Sequence, residues 1–355
     1  MADGWLGYVV VFLSSVLLCT LFVPIAIRLS WRLGSLDRPR GHKSHKSPVP
    51  YLGGLAIVLA FTTSVLLGGT IEPATGGSRE LIIILGTATA LAVVGLFDDL
   101  KDLSPWLRLV TEIAASLVVW NLDVGVGLTG TAWIDMALTV FWVVGITNAF
   151  NLLDNMDGLA AGLASIACAT YFAIAVANSQ FLVASLSAGV AGCAIGFLRQ
   201  NRYPARIYMG DGGALFLGFL ASYLGLKLEI SGDGYQTFVV PVLICAIAIL
   251  DTTLVTFARL RSGRSPFNGG QDHISHRLVR VGFPIPVAVG LIHVTSAGIG
   301  VLSFVCSRVD PISVWIVGGL IGFGLVAAGV LLSAVPVYPE SQQLRFSFVE
   351  HPDAR

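Results

Sequence analysis

Polar residues recur at every third position of the stretch NAFNLLDNMDGLA, residues 148–160. If that stretch is helical, Asn148, Asn151, Asp154 and Asp157 share one slowly drifting face. Amide donors beside carboxylate acceptors can hold a polar ligand or a hydrated cation. Asn and Asp also cap helices, and Gly158 suits a break, but capping accounts for two of the four rather than for a run. A second acidic group, Asp98, Asp99 and Asp102 in GLFDDLKDLSPWLRL, crowds carboxylates at one helix end, with Ser104 and Pro105 suited to start the next helix. A solvated acidic loop with Lys101 as local partner would look much the same. The third, Asp211 in RQNRYPARIYMGDGGALFLG, is flanked by glycines that let backbone approach a ligand, and a helix starting there aims N–H groups at an anion. Magnesium takes one or two protein carboxylates and fills its shell with phosphate oxygens and water, so a sparse set of aspartates suits it. Tyr208, three residues before Asp211, could stack on a base or sit in an interfacial aromatic belt.

Two basic loops complement the acidic groups. RLRSGRSPFNGGQDHISHRLVR combines five arginines with His273 and His276, which share a helix face at i, i+3. No third His or Cys neighbours them and the basic setting disfavours a metal, so phosphate contacts are favoured over a solvated basic loop. SLDRPRGHKSHKSPVPYLGG adds Asp37, His45 and Lys46 in a loop too long for a simple connection. Asp251 lies inside an apolar run, where an ionisable residue is a functional candidate by default.

The elements that position these groups are membrane helices. The 355 residues are 55% hydrophobic and 12% charged with mean hydropathy +0.82, against about 25% charged in soluble chains. Apolar runs at 5–27, 51–70, 81–97, 106–122, 132–150, 159–178, 181–198, 212–229, 236–258, 286–307 and 312–335 make eleven expected spans. The chain is therefore an all-α polytopic integral membrane protein with about 10–11 transmembrane helices. It reads as one transmembrane domain over 1–335 and a polar cytoplasmic tail over 336–355. MADGW lacks the basic flank of a signal peptide, so the first run reads as a retained helix. Alternate loops hold eighteen of the 21 lysines and arginines, leaving Arg79, Arg308 and Lys227 for the other side. The positive-inside rule then puts the N-terminus outside and every motif loop in the cytoplasm. Net charge is zero, which gives no footprint for nucleic acid. The five cysteines stand singly within spans, with no C-x-x-C pair for zinc.

Carboxylates for a divalent cation, cations for phosphates and glycines for close approach, all on one face, form the inventory of phosphoryl transfer at a membrane surface. In order, the motifs resemble the polyprenyl-phosphate N-acetylhexosamine-1-phosphate transferase family. These bacterial enzymes start cell-envelope glycans by moving a sugar phosphate from a UDP-sugar to undecaprenyl phosphate. The family's D-x-P with a following basic pair and H-x-x-P-x-P-x-x-G-G is matched by Asp37, Pro39, His42, Lys43, His45, Pro48, Pro50, Gly53 and Gly54, with histidine for the usual arginine at 42. DDLKDLSP, NAFNLLDNMDGL, MGDGGA and SPFNGGQDHISHRL match the others. Asn155 stands where glycine is frequent, and Ser275 replaces the middle histidine of H-[IL]-H-H-R-L.

The resemblance implies Mg²⁺, or Mn²⁺, on Asp211 with Asp98 or Asp99 close by, and a role for one of that pair in activating the lipid phosphate. It puts Asn151, Asp154, Asp157 and Tyr208 at the uridine nucleotide. His45, Lys46, His273, His276 and Arg277 fall at the donor's phosphates or sugar, with Asn148, Asp102 and Asp251 as further candidates. The partners implied are a UDP-sugar, a polyprenyl phosphate acceptor and membrane lipids, in a multi-pass protein of the bacterial inner (plasma) membrane. A homodimer stays open, as do direct attack and a covalent aspartyl-phosphate route. Two other readings stand behind this one. Phospho-N-acetylmuramoyl-pentapeptide transfer belongs to related enzymes, but their final histidine triplet is absent from DHISH. A secondary transporter would cluster its polar groups near the bilayer midplane. The motif DGLAAG stops short of the D-G-x-x-A-R of CDP-alcohol phosphotransferases.

Overall fold

The computed structural model describes residues 5–37, 48–71, 78–101, 103–230, 235–267 and 269–338. Its helices are α1 (Trp5–Leu33), α2 (Gly53–Ile71), α3 (Ser78–Lys101), α4 (Pro105–Trp120), α5 (Ala132–Leu153), α6 (Leu159–Ala177), α7 (Phe181–Asn201), α8 (Gly210–Lys227), α9 (Tyr235–Ile244), α10 (Ala246–Arg261), α11 (Ile274–Val281), α12 (Ile285–Cys306) and α13 (Pro311–Ser333). Among the described residues the strands are two short ones, β1 (Leu36–Asp37) and β2 (Val49–Pro50), an antiparallel pair that ties together the two ends of the first motif loop. Eight helices are each long and apolar enough to cross a bilayer, or nine with α9 and α10 taken as one bent span. The remaining two expected spans are α4, which has 16 residues, and α8, which carries Asp211 and Lys227 at its ends. The run at 236–258 was expected to be one helix. It breaks at Cys245 with a 68° bend, and Pro241 just before the break removes a backbone donor from the helical ladder.

The fold is a buried core of α6, α7 and α8 wrapped by more exposed helices. Of the apolar stretch in α7, 78% is buried, against 11% in α13, so α7 lies in the core and α13 at the periphery. Small residues let the core helices approach closely. A Cβ on Gly192 of α7 would meet the Phe12 carbonyl oxygen of α1 at 2.6 Å, and one on Gly95 of α3 would meet the Gly212 nitrogen of α8 at 2.6 Å. The second contact positions the site, because it presses the C-terminal end of α3 against the first turn of α8.

Candidate active site

The site forms where α3 and α5 end and α4 and α8 begin. The chain entering α2 lies against the segment entering α8: Tyr208 N donates to the Pro50 carbonyl (2.8 Å), Gly53 N to the Tyr208 carbonyl (3.1 Å) and Gly54 N to the Met209 carbonyl (2.8 Å). Gly210 then turns the chain into α8 with φ +67°, the left-handed region that favours glycine. Any Cβ there would also stand 2.4 Å from Asp99 Oδ2. Asp99 accepts hydrogen bonds from the backbone N–H of Asp211 (3.1 Å) and Gly212 (3.5 Å). Its side chain therefore takes up two of the backbone donors that the first turn of α8 leaves without intrahelical partners. The resemblance leaves Asp98 or Asp99 beside the metal, and of the two Asp99 fixes the start of the helix that carries Asp211.

Its neighbour Asp98 faces a different partner. Arg108 Nη1, from the first turn of α4, lies 2.7 Å from Asp98 Oδ2 and 2.8 Å from Asp211 Oδ2 and so bridges the two carboxylates. Asp98 Oδ1 accepts from Leu103 N (2.6 Å), which bends the chain from α3 towards α4. The Asp211 side chain is 32% exposed against 9% for Asp98, so it is the one a solute reaches. Asn151 lies beside the Asp211 carboxylate with its Nδ2 buried and without a hydrogen bond of ordinary geometry. Asn148, by contrast, donates to Glu112 Oε2 of α4 and to the Val144 carbonyl, so it braces α4 on α5 rather than facing the carboxylates. Sequence reasoning passed over Arg108 and Glu112. Their i, i+4 spacing on a helix starting next to DDLKD was the available signal.

The helical strip ends sooner than its spacing suggested: α5 stops at Leu153, and Asp154 and Asp157 lie in the turn before α6. Burial pushes Asp154 up to about 7, with the charges of Asp211 and Asp157 adding to the effect. Asp157 Oδ2 accepts from Ala205 N (2.8 Å) and holds the loop that leads to Tyr208. The Tyr208 phenol is pushed well up by burial and then by the carboxylates of Asp157, Asp37 and Asp154, so it stays a neutral ring at the rim of the acidic group. The turn before α6 and the first turn of α11 meet where Ser275 Oγ donates to Asn155 Oδ1 (2.6 Å).

In the basic loop, buried Asp251 orders the start of α11. It accepts from Ile274 N (2.7 Å) and lies 2.7 Å from His273 Nδ1, which fixes the ring. Burial, then the neighbouring His273, pushes His276 down to about 4, so it offers a neutral imidazole at pH 7. Arg277 is spent elsewhere: it donates to the carbonyls of Asp272 (2.8 Å), Leu332 (2.9 Å) and Val335 (3.1 Å) and closes the C-terminal end of α13. Arg259 pairs bidentately with the fully buried Asp272 (2.8 and 2.9 Å), and Tyr338 donates to the same carboxylate. The tail expected from 336 is thus tied to the loop at its first residues. His45, Lys46 and Asp102 lie outside the described residues, as do His42 and Lys43.

Among the described residues no three His, Cys, Asp or Glu side chains stand together as a ready metal cage. A hard cation such as Mg²⁺ takes one or two protein carboxylates and completes its shell with substrate oxygens and water. The donor set fits it: oxygen ligands from Asp211 and Asp98 converge on a single positive group, Arg108, beside an unpartnered amide. A polytopic helical fold with carboxylates, the neutral imidazole of His276 and close-packed glycines at its helix ends defines a membrane phosphoryl-transfer enzyme.

The comparisons agree. The family model described as glycosyl transferase family 4 matches residues 81–229. The chain is 32% identical over 294 residues to a probable undecaprenyl-phosphate N-acetylglucosaminyl 1-phosphate transferase of Bacillus subtilis, covering 80% of this chain and 81% of that one. It is 30% identical to the decaprenyl-phosphate N-acetylglucosaminephosphotransferase of Mycolicibacterium smegmatis over 78% of this chain and 75% of the other. A phospho-N-acetylmuramoyl-pentapeptide-transferase of Bacillus licheniformis is 34% identical over 62% of this chain and 74% of its own length. The chain belongs to the polyprenyl-phosphate N-acetylhexosamine-1-phosphate transferase family of membrane enzymes. Membership sets the transporter reading aside.

Proposed function

We propose that this protein transfers N-acetylglucosamine 1-phosphate from UDP-GlcNAc to undecaprenyl phosphate at the cytoplasmic face of a bacterial plasma membrane, releasing UMP. The observation that carries this reading is the pair of carboxylates, Asp98 and Asp211, drawn to one cation at the helix ends beside Asn151. The names of the relatives over most of the chain support the donor and acceptor chemistry. An oxygen of the lipid phosphate bonds to the β-phosphorus of the donor while the bond from that phosphorus to the bridging oxygen breaks. UMP then leaves with the electron pair.

Asp211 with Asp98 would hold Mg²⁺, or Mn²⁺, and the bound cation supplies charge stabilisation to phosphate oxygens. Asp99 positions Asp211 through the α8 amides. Arg108 stands between the two carboxylates, where its planar guanidinium can also donate to a phosphate oxygen. Asp98 stands to take a proton from an acceptor phosphate that arrives protonated. Asp154, Asp157 and Tyr208 line the nucleotide side, and His273 and neutral His276 donate or accept single hydrogen bonds at the donor. Radiolabelled UDP-GlcNAc and undecaprenyl phosphate given to the purified protein should yield labelled lipid. Label transferred only from UDP-MurNAc-pentapeptide would contradict the donor.

A further inference from the structure

Helix α7 is the most buried of the long apolar helices, yet it opens along one line. Its exposed residues are Ile195 and Arg199, and Arg202 just past its end is exposed too. Spacings of four and three put these side chains on one face: an apolar position below two cations at the end of the helix. Opposite, α12 presents Pro286, Val289 and Gly290 across a groove of about 550 Å³, within the roughly 300–1,000 Å³ range of small-molecule sites. A Cβ built on Gly290 meets no atom within 4 Å, so the groove is open beside that glycine. Neither guanidinium has an ion-pair partner among the described residues.

We propose that this groove holds one anionic glycerophospholipid of the bilayer, its phosphate between Arg199 and Arg202 and an acyl chain along Ile195, Leu198 and Val289. Charge complementarity selects the occupant, since an apolar cleft between helices with basic residues at its interfacial end matches an anionic headgroup on a hydrocarbon chain. The acceptor substrate has the same two parts, but its phosphate has to react beside Asp98 and Asp211 on α3 and α8, and neither helix lines the groove. Asp157 and Gly158 do line it. The bound lipid would therefore brace the turn before α6 that carries the nucleotide strip.

The test uses the full chain in phosphatidylcholine nanodiscs containing a minority of phosphatidylglycerol, then gentle extraction and lipid counting by native mass spectrometry. Wild type should retain one phosphatidylglycerol in preference to phosphatidylcholine. Arg199→Gln with Arg202→Gln should lower that preference by roughly tenfold. Gly290→Leu should fill the groove without a clash and lower retention of both lipids, whereas Gly298→Leu, equally open on the same helix, should leave retention unchanged. Equal retention in all variants would overturn the proposal. So would one-for-one displacement of phosphatidylglycerol by added undecaprenyl phosphate, because the groove would then belong to the acceptor.

Discussion

Ser275 Oγ donates a 2.6 Å hydrogen bond to Asn155 Oδ1, linking the first turn of α11 to the turn between α5 and α6. These are two positions at which the chain departs from its family's usual residues, glycine at 155 and histidine at 275, and the structure shows the departures touching. Ser275 is nearly fully buried, so removing its hydroxyl costs about 1–3 kcal/mol at the contact. Ser275→Ala should raise KM for the UDP-sugar several-fold with a smaller effect on kcat, since the bond positions two donor loops and touches no reacting atom. Combining it with Asn155→Gly should cost little more than either change alone. Additive losses in the steady-state kinetics would mean that the two residues act separately.

Arg108 gives a prediction with opposite signs in two measurements. Its guanidinium occupies the place between Asp98 and Asp211 that a divalent cation would take. Arg108→Gln removes that competitor, so calorimetric titration of the purified protein with Mg²⁺ or Mn²⁺ should show binding tighter by on the order of tenfold. Turnover should fall, because the arginine is then missing from the phosphates. Weaker metal binding in the variant would show that the arginine supports the cation site rather than holding its place.

Gly210 separates backbone strain from collision. Gly210 and Gly34 both have positive φ, +67° and +72°, but only a Cβ on Gly210 meets a neighbour, Asp99 Oδ2 at 2.4 Å. Gly34→Ala should cost about 1 kcal/mol of stability from conformation alone. Gly210→Ala should cost more and should also displace Asp99 from the start of α8, lowering activity beyond the loss of folded protein. Matching melting temperatures and matching activities for the two variants would contradict the contact.

His276 sets a pH dependence. Half-buried and beside His273, it is held at about 4 in the folded protein, while the unfolded chain titrates near its ordinary value of about 6.5. Between those values the unfolded state binds more protons, so stability rises with pH through this window. The contribution is complete above about pH 6.5 and is lost as pH falls towards 4. His276→Phe should flatten the profile of melting temperature against pH over that range. An unchanged slope would mean that the imidazole is already charged in the fold.

The acidic groups were legible because spacing and neighbouring glycines mark them within an apolar chain, and the eleven apolar runs all correspond to helices or, in one case, to a bent pair. What stayed hidden depends on how those helices turn. Asp98 and Asp99 are indistinguishable in sequence, yet one helical step of about 100° sends Asp98 to Arg108 and Asp99 to the amides of α8. Arg108 and Glu112 look like surface residues of PWLRLVTEIAAS until α4 is seen to start against α3. Arg277 sits in a motif that suggests phosphate contact, but the end of α13, remote in sequence, takes up its donors. Pro241 was visible, but hydropathy averaged it into a single span.

The proposed reaction places sugar-phosphate transfer to a lipid phosphate at Asp211 and its neighbours. The most direct measurement is UMP release by the purified protein in detergent with Mg²⁺, undecaprenyl phosphate and UDP-GlcNAc, alongside Asp211→Asn. Release should require lipid and metal and should fall to background in the variant, whose melting temperature stays close to wild type. Near wild-type release from Asp211→Asn, or release that proceeds without lipid, would contradict the account.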